Sequence, residues 1–150
     1  MENAGKLKGT IGDLLRSQKL AVLSTHSNGQ PYASLVVFAA TEDLKHLLFA
    51  TTRTTRKYEN ISHDPRVALL IDSRSNLNSD IHGAIAVTAT GKAEEVAEKE
   101  KEALLKIYLA KHPHLKEFAY SPTCALFRVK VETYYMVSKF QKVFELHISQ

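Results

Sequence analysis

Tryptophan is absent from this 150-residue chain, and cysteine occurs once, at Cys124. A single cysteine excludes an intramolecular disulfide and any cysteine-rich metal centre. It lies in the apolar, strand-like run 123–127 (TCALF), which favours a buried, inert thiol over a nucleophile. Glycine (6) and proline (4) are sparse and scattered. No linker or low-complexity segment can be drawn from them, so a single domain over residues 1–150 is expected. No apolar run approaches the ~20 residues that span a bilayer. The N-terminal segment carries Lys6, Lys8, Arg16 and Lys19 where a signal peptide would be continuously apolar. These absences predict a cytoplasmic protein with no membrane partner.

Catalytic signatures are missing too. There is no GxSxG or HExxH. Glu94, Glu95, Glu98 and Glu100 read as a solvated helix face shared with Lys99, Lys101 and Lys106, and not as a catalytic carboxylate pair. The proline in His112-Pro113-His114 keeps the two imidazoles from converging, and His147 reads as an exposed tail residue. No metal site is expected, and no catalytic residue can be named.

What remains is an ordinary globular composition, 44% apolar and 24% charged. At this length roughly two-thirds of the unfolded surface can be buried. The net charge of +4 is too mild to demand a nucleic acid and favours an anionic ligand.

Periodicity supplies the elements. Leu7, Ile11, Leu14 and Leu15 are spaced as one face of a helix over residues 7–18. Residues 19–25 and 32–40 read as strands joined by the Ser27-Asn28-Gly29 turn, a hairpin signal. Further strands are predicted at 46–51, 66–71 and 84–90, the last ending at Gly91. A helix is predicted over 54–63, stopped by Asp64-Pro65. A second covers 98–111, with Leu104, Leu105 and Tyr108 as its apolar stripe. The final strands are placed at 124–131 and 134–146, and residues 73–82 read as a polar loop. Six or seven strands joined by turns too short for crossovers predict a mainly β, antiparallel barrel with peripheral helices.

One segment carries unusual chemistry. Residues 51–57 (TTRTTRK) offer four hydroxyls and three cations where a strand meets a helix. Thr54 or Thr55 suits the N-cap, so Arg56 and Lys57 fall in the first turn. A cation there is disfavoured by roughly 0.3–1 kcal/mol by the helix dipole. The arrangement makes sense if free N–H groups, Thr hydroxyls and the cations share an anion such as a phosphate. A solvated basic turn is the competing reading. A nucleic-acid backbone surface is another, but no aromatic side chains interleave with the basic residues.

Residues 47–72 (LLFATTRTTRKYENISHDPRVALLID) resemble the FMN-binding split-barrel family typified by pyridoxamine 5'-phosphate oxidase. The match lies in Thr51, the Arg56-Lys57 pair and Asp64-Pro65-Arg66-Val67. It extends upstream through AVLSTHSNGQPYASLVVFAA and downstream through VTATGKAEEV. The resemblance implies a split β-barrel that binds FMN, with Arg56 and Lys57 on the phosphate and Thr51, at the end of the Ala50-Thr51 strand, assisting. Ser34, Leu35, Val36 and Val37 would run along the isoalloxazine edge. It also implies a homodimer with two flavin sites at the interface. The polar loop, through Arg74 and Asn76, is a source of further flavin contacts, or else an ordinary exposed loop. The segment YYMVSKFQKVFEL resembles the haem-utilisation branch, and there Tyr135, Phe140 and Gln141 could approach the flavin. The oxidase's C-terminal tryptophan and arginine pattern has no counterpart here, so the vitamin substrate is not implied. The expected function is a flavin-dependent oxidoreductase acting on an unidentified small molecule or electron donor. A flavin or haem carrier and a deazaflavin-dependent reductase are the alternatives.

Overall fold

Asn28 and Gly29 turn the chain with φ of 50° and 83°, as a two-residue hairpin requires. They join β1 (Leu20–Ser27) to β2 (Gln30–Ala40), paired from Leu20↔Val37 to Ser27↔Gln30. A computed structural model describes residues 4–139 and 141–150. Before the hairpin runs α1 (Ala4–Ser17), and after it come β3 (His46–Thr52), α2 (Arg56–His63) and β4 (Arg66–Asp72). A short helix α3 (Asp80–Gly83) precedes β5 (Ala86–Glu95) and α4 (Glu98–Lys111). A 3-10 turn (Pro113–Leu115) and α5 (Lys116–Ala119) lead into β6 (Cys124–Ser138) and β7 (Lys142–His147).

The strands order as β3-β2-β1-β4-β5-β6-β7, and β3 also pairs with β6. That second pairing closes six strands into an antiparallel barrel, with β7 as an extra strand. The 15-residue β6 makes this possible. Its first half, Cys124–Lys130, pairs with β3, and Thr133–Ser138 pairs with β7.

Alternation decides what goes inside. Leu23, Phe38, Phe49, Leu69, Val87, Ala89, Phe127 and Val129 are buried in the barrel, and Phe49 stacks on Phe127 at 5.2 Å. Leu7, Ile11, Leu14 and Leu15 of α1 pack into the same core, as their spacing predicts. Outside the barrel, Leu105 and Tyr108 of α4 are buried against Leu126 and against Ala39 and Leu48. Cys124 is buried, and burial pushes its thiol pKa up. No helix among the described residues is long and apolar enough to cross a membrane.

Four readings are corrected. β5 does not end at Gly91; it runs on to Glu95. There is no break near residue 132 in β6; the strands placed at 124–131 and 134–146 divide instead after Ser138, into Cys124–Ser138 and Lys142–His147. Both errors have one cause, a bulge: Thr90 pairs with Thr133 while Gly91 pairs with Val131, leaving Glu132 as the extra residue. The polar Glu132-Thr133 pair interrupts the apolar pattern without interrupting the strand. Third, Glu94 and Glu95 stand on β5, not on a helix face, and both make specific ion pairs. Arg128 bridges Glu94 (2.7 Å) and Glu100 (2.6 Å). His147 is likewise part of β7, with Nδ1 3.1 Å from the Thr133 hydroxyl.

Candidate functional site

The barrel opens between β2 and β3. These strands pair only through Phe38–Ala40 and Leu47–Phe49. Beyond that point β3 stays with β6, and Leu35–Val37 keep β1 on one edge with no strand on the other. The side chain that fills the split is Tyr108. Its hydroxyl donates to the Val37 carbonyl at 3.0 Å and takes the Ala50 amide as donor. Val37 and Ala50 would be the next ladder pair, so one phenol replaces their missing bonds. Burial pushes the Tyr108 pKa up to about 12, so it stays a protonated donor. In sequence Tyr108 was only one member of an apolar stripe. The signal was its hydroxyl, which a buried position obliges to find partners.

The resulting groove has a volume of about 310 Å³. One wall is Leu35–Val37, and the other is Ala50, Thr51, Thr52 and Thr55. Lys57 stands at the polar end, while Leu115 and Phe118 supply apolar surface. Thr55 is the N-cap of α2, accepting from the Tyr58 amide at 3.3 Å. Its hydroxyl also lies 3.2 Å from that of Thr51, which is buried. The Ser34 hydroxyl is buried without a hydrogen-bond partner, which is costly unless a ligand or water supplies one.

Six expected residues are therefore gathered in one place: Leu35, Val36, Val37, Ala50, Thr51 and Lys57. Arg56 departs from the expectation. It precedes Lys57 on the helix, so the two side chains diverge by about 100°. The Arg56 guanidinium lies 5.6 Å from the centre of the Tyr32 ring and lines a separate cleft. Arg74 pairs with Asp72 at 3.2 Å on the outer face of the sheet. Asn76 belongs to a loop gathered by Asp80, whose carboxylate accepts the amides of Ser75, Asn76 and Leu77. Neither residue lines the groove within this chain. Phe140 lies outside the described residues.

Of the three cations in 51–57, Arg53 is committed elsewhere. It donates to Glu95 at 2.7 Å and to the Pro122 carbonyl at 2.8 Å. Glu95 also accepts the Tyr58 hydroxyl at 2.9 Å. Burial alone would raise the Glu95 pKa, but the bonds from Arg53 and Tyr58 outweigh it and hold it below the ordinary value. Arg56 and Lys57 make no ion pair among the described residues. The Glu95 carboxylate thus ties down both sides of the turn that presents Thr55 and Lys57. Glu95→Ala should speed amide exchange across residues 53–58 about tenfold, leaving the β5–β6 amides unchanged. Uniform exchange rates in wild type and variant would show that the turn holds itself.

The family model described as pyridoxamine 5'-phosphate oxidase matches residues 7–138. No curated protein matches the chain at a significant level. Solved structures do. General Stress Protein 26 from Bacillus anthracis is 21% identical, with a TM-score of 0.72, over 95% of this chain and 98% of that one. An FAD-binding protein from Mesorhizobium loti is 20% identical, with a TM-score of 0.68, over 87% and 90%. A heme binding protein from Mycobacterium smegmatis is 18% identical, with a TM-score of 0.79; the match covers 91% of this chain and 56% of that one. At these identities the likeness is one of fold.

Proposed function

The chain belongs to the pyridoxamine 5'-phosphate oxidase family, and on that premise we propose that it binds FMN and acts as a flavin-dependent oxidoreductase on a small molecule. The observation that carries this is the groove itself, where an open strand edge faces a helix N-terminus bearing an uncompensated lysine. The residues suit the cofactor. Lys57, Thr51 and Thr55 would hold the phosphate, with the charge of Arg56 adding from the other side of the helix opening. The unpaired edge of Leu35–Val37 would take the polar rim of a heteroaromatic ring, as a strand takes its neighbour. The bound flavin would supply hydride transfer.

The chain's own part would be to position and to exclude water. Leu115 and Phe118 shield the apolar end. Tyr108 keeps its proton at any physiological pH, so it fixes the width of the split and does not act as a base. Among the described residues no other titratable group but Lys57 lines the groove. That lack of an acid–base group favours a second reading, a flavin carrier without turnover. A haem carrier is less suited, because no histidine or cysteine among the described residues lines the groove. A deazaflavin-dependent reductase, the third reading, would want further cations along its longer anionic tail, and among the described residues the groove offers only Lys57.

The flavin site would be completed by a second copy of the chain. Register aligns Leu35, Val22, Leu70, Thr88 and Tyr135 in one row across the outer face of the sheet. Leu35 is 62% exposed, and Leu20 and Val143 flank the row at 49% and 61%. An apolar patch of this kind marks an association surface; Arg74 stands beside it, and in the dimer Arg74 and Asn76 would reach toward the partner's groove. A cytoplasmic location accords with this reading. The test is the visible spectrum of the purified protein and its titration with FMN, followed by turnover assays with NADH and NADPH. A colourless protein that takes up no FMN would end the flavin reading, and a flavoprotein without turnover would leave the carrier.

A further inference from the structure

A second cavity, of about 450 Å³, is separate from the groove. It lies on the other side of α2, between that helix and the β1–β2 turn. Arg56, Glu59 and His63 face it from the helix, and Asn28 faces it from the turn. A cavity of this size suits a small organic molecule.

Its charges are arranged unusually. Arg56 and Glu59 are three apart on one helix, a spacing at which opposite charges normally pair. Here the guanidinium is drawn to the Tyr32 ring, and neither residue forms an ion pair among the described residues. The other carboxylate in the cleft, Asp64, is spoken for. It holds Arg66 at 2.7 Å and His26 at 2.9 Å, and the Arg66 bonds hold its pKa far below the carboxylate range. His26 is engaged at both ring nitrogens. Its Nδ1 accepts the Gly29 amide at 3.2 Å, which puts the proton on Nε2, facing Asp64. Among the described residues the cleft thus offers one free cation, one free carboxylate, an exposed imidazole and the Asn28 amide.

That set fits a phosphorylated ribonucleoside. A guanidinium takes the phosphate. A carboxylate accepts ribose hydroxyls, as acidic residues do in dinucleotide sites. The His63 ring, fixed by its Nδ1–H bond to the Glu59 carbonyl at 2.9 Å, offers a flat face for a base, and the Asn28 amide can bond the base edge. We propose that this cleft binds the adenylate end of an adenine dinucleotide with a free 2′-hydroxyl. Two sources share that chemistry. One is the far half of FAD, whose pyrophosphate would pass the opening of α2 from the groove. The other is the adenosine half of NADH. Only the choice between them rests on the flavin reading; the site itself does not.

The experiment is calorimetric titration of the full-length protein as purified. AMP should bind with Kd near 1 mM or tighter. Inorganic phosphate should bind at least about tenfold more weakly, because it lacks the nucleoside contacts. Adenosine 2′,5′-bisphosphate should also bind more weakly than AMP, since its 2′-phosphate meets Glu59. Arg56→Ala should weaken AMP about tenfold or more, while Lys57→Ala, on the groove side, should leave AMP binding intact. Equal binding of AMP and phosphate would overturn the proposal, as would an Arg56→Ala variant that binds AMP normally or a Lys57→Ala variant that loses it. A preference for FAD over FMN that Arg56→Ala abolishes would identify the flavin as the source. NADH that competes with AMP, with FAD and FMN bound alike, would identify the electron donor.

Discussion

Replacing Arg56 and Lys57 together by alanine is expected to weaken FMN binding at least 100-fold. Charge-assisted hydrogen bonds are worth roughly 1.5–3 kcal/mol each, and tenfold in affinity corresponds to about 1.4 kcal/mol. The loss should not be shared equally. Lys57 lines the groove beside Thr51 and Thr55, so Lys57→Ala alone should cost about 30-fold. The Arg56 guanidinium sits over Tyr32 on the far side of the helix opening, so Arg56→Ala alone should cost less than about fivefold. Folding should hardly change, because neither side chain has an ion pair to lose and both lie outside the core. Flavin fluorescence titration of the three variants checks this, with urea unfolding as the control. Wild-type affinity in the double variant would remove Lys57 and the α2 opening from the site.

The largest effect on stability should come from Gly91→Ala. Gly91 sits at the bulge where β5 and β6 change register. A Cβ there would lie 2.9 Å from the Lys130 carbonyl carbon and would overlap its oxygen. Both are backbone atoms of a paired strand, so neither can rotate aside. The ladder must separate, at a cost of about 3 kcal/mol or more. With a urea m-value of about 2 kcal/mol/M, the midpoint should fall by about 1.5 M. Gly9→Ala is the matched control. It lies exposed within α1 with nothing within 4 Å of an added Cβ, and alanine there should stabilise the helix by up to about 1 kcal/mol. Similar midpoints for the two variants would mean that the bulge does not hold the close approach described.

The fold was legible wherever one face of an element meets the core and the other does not. The α1 face of Leu7, Ile11, Leu14 and Leu15, the Asn28-Gly29 turn and most strands follow from period and turn chemistry alone. A threonine cap at Thr54 or Thr55 was legible for the same reason, since capping is local, and the structure selects Thr55. The reading failed where a local signal had a non-local cause. Glu132-Thr133 looked like a strand end because a bulge shifts the alternation that defines a strand. Glu94 and Glu95 looked like helix surface because their partners, Arg128 and Arg53, are distant in sequence.

The site divides along the same line. The sequence by itself determined that hydroxyls and cations crowd the start of α2 against its dipole, because composition and capping act within a few residues. Only the tertiary structure decided which of those groups face a common space. Closure of β3 onto β6 opens β2, Tyr108 props the split, Glu95 claims Arg53, and the 100° step along a helix sends Arg56 and Lys57 to different pockets. Direction in space is a property of packed elements, and no run of residues carries it alone.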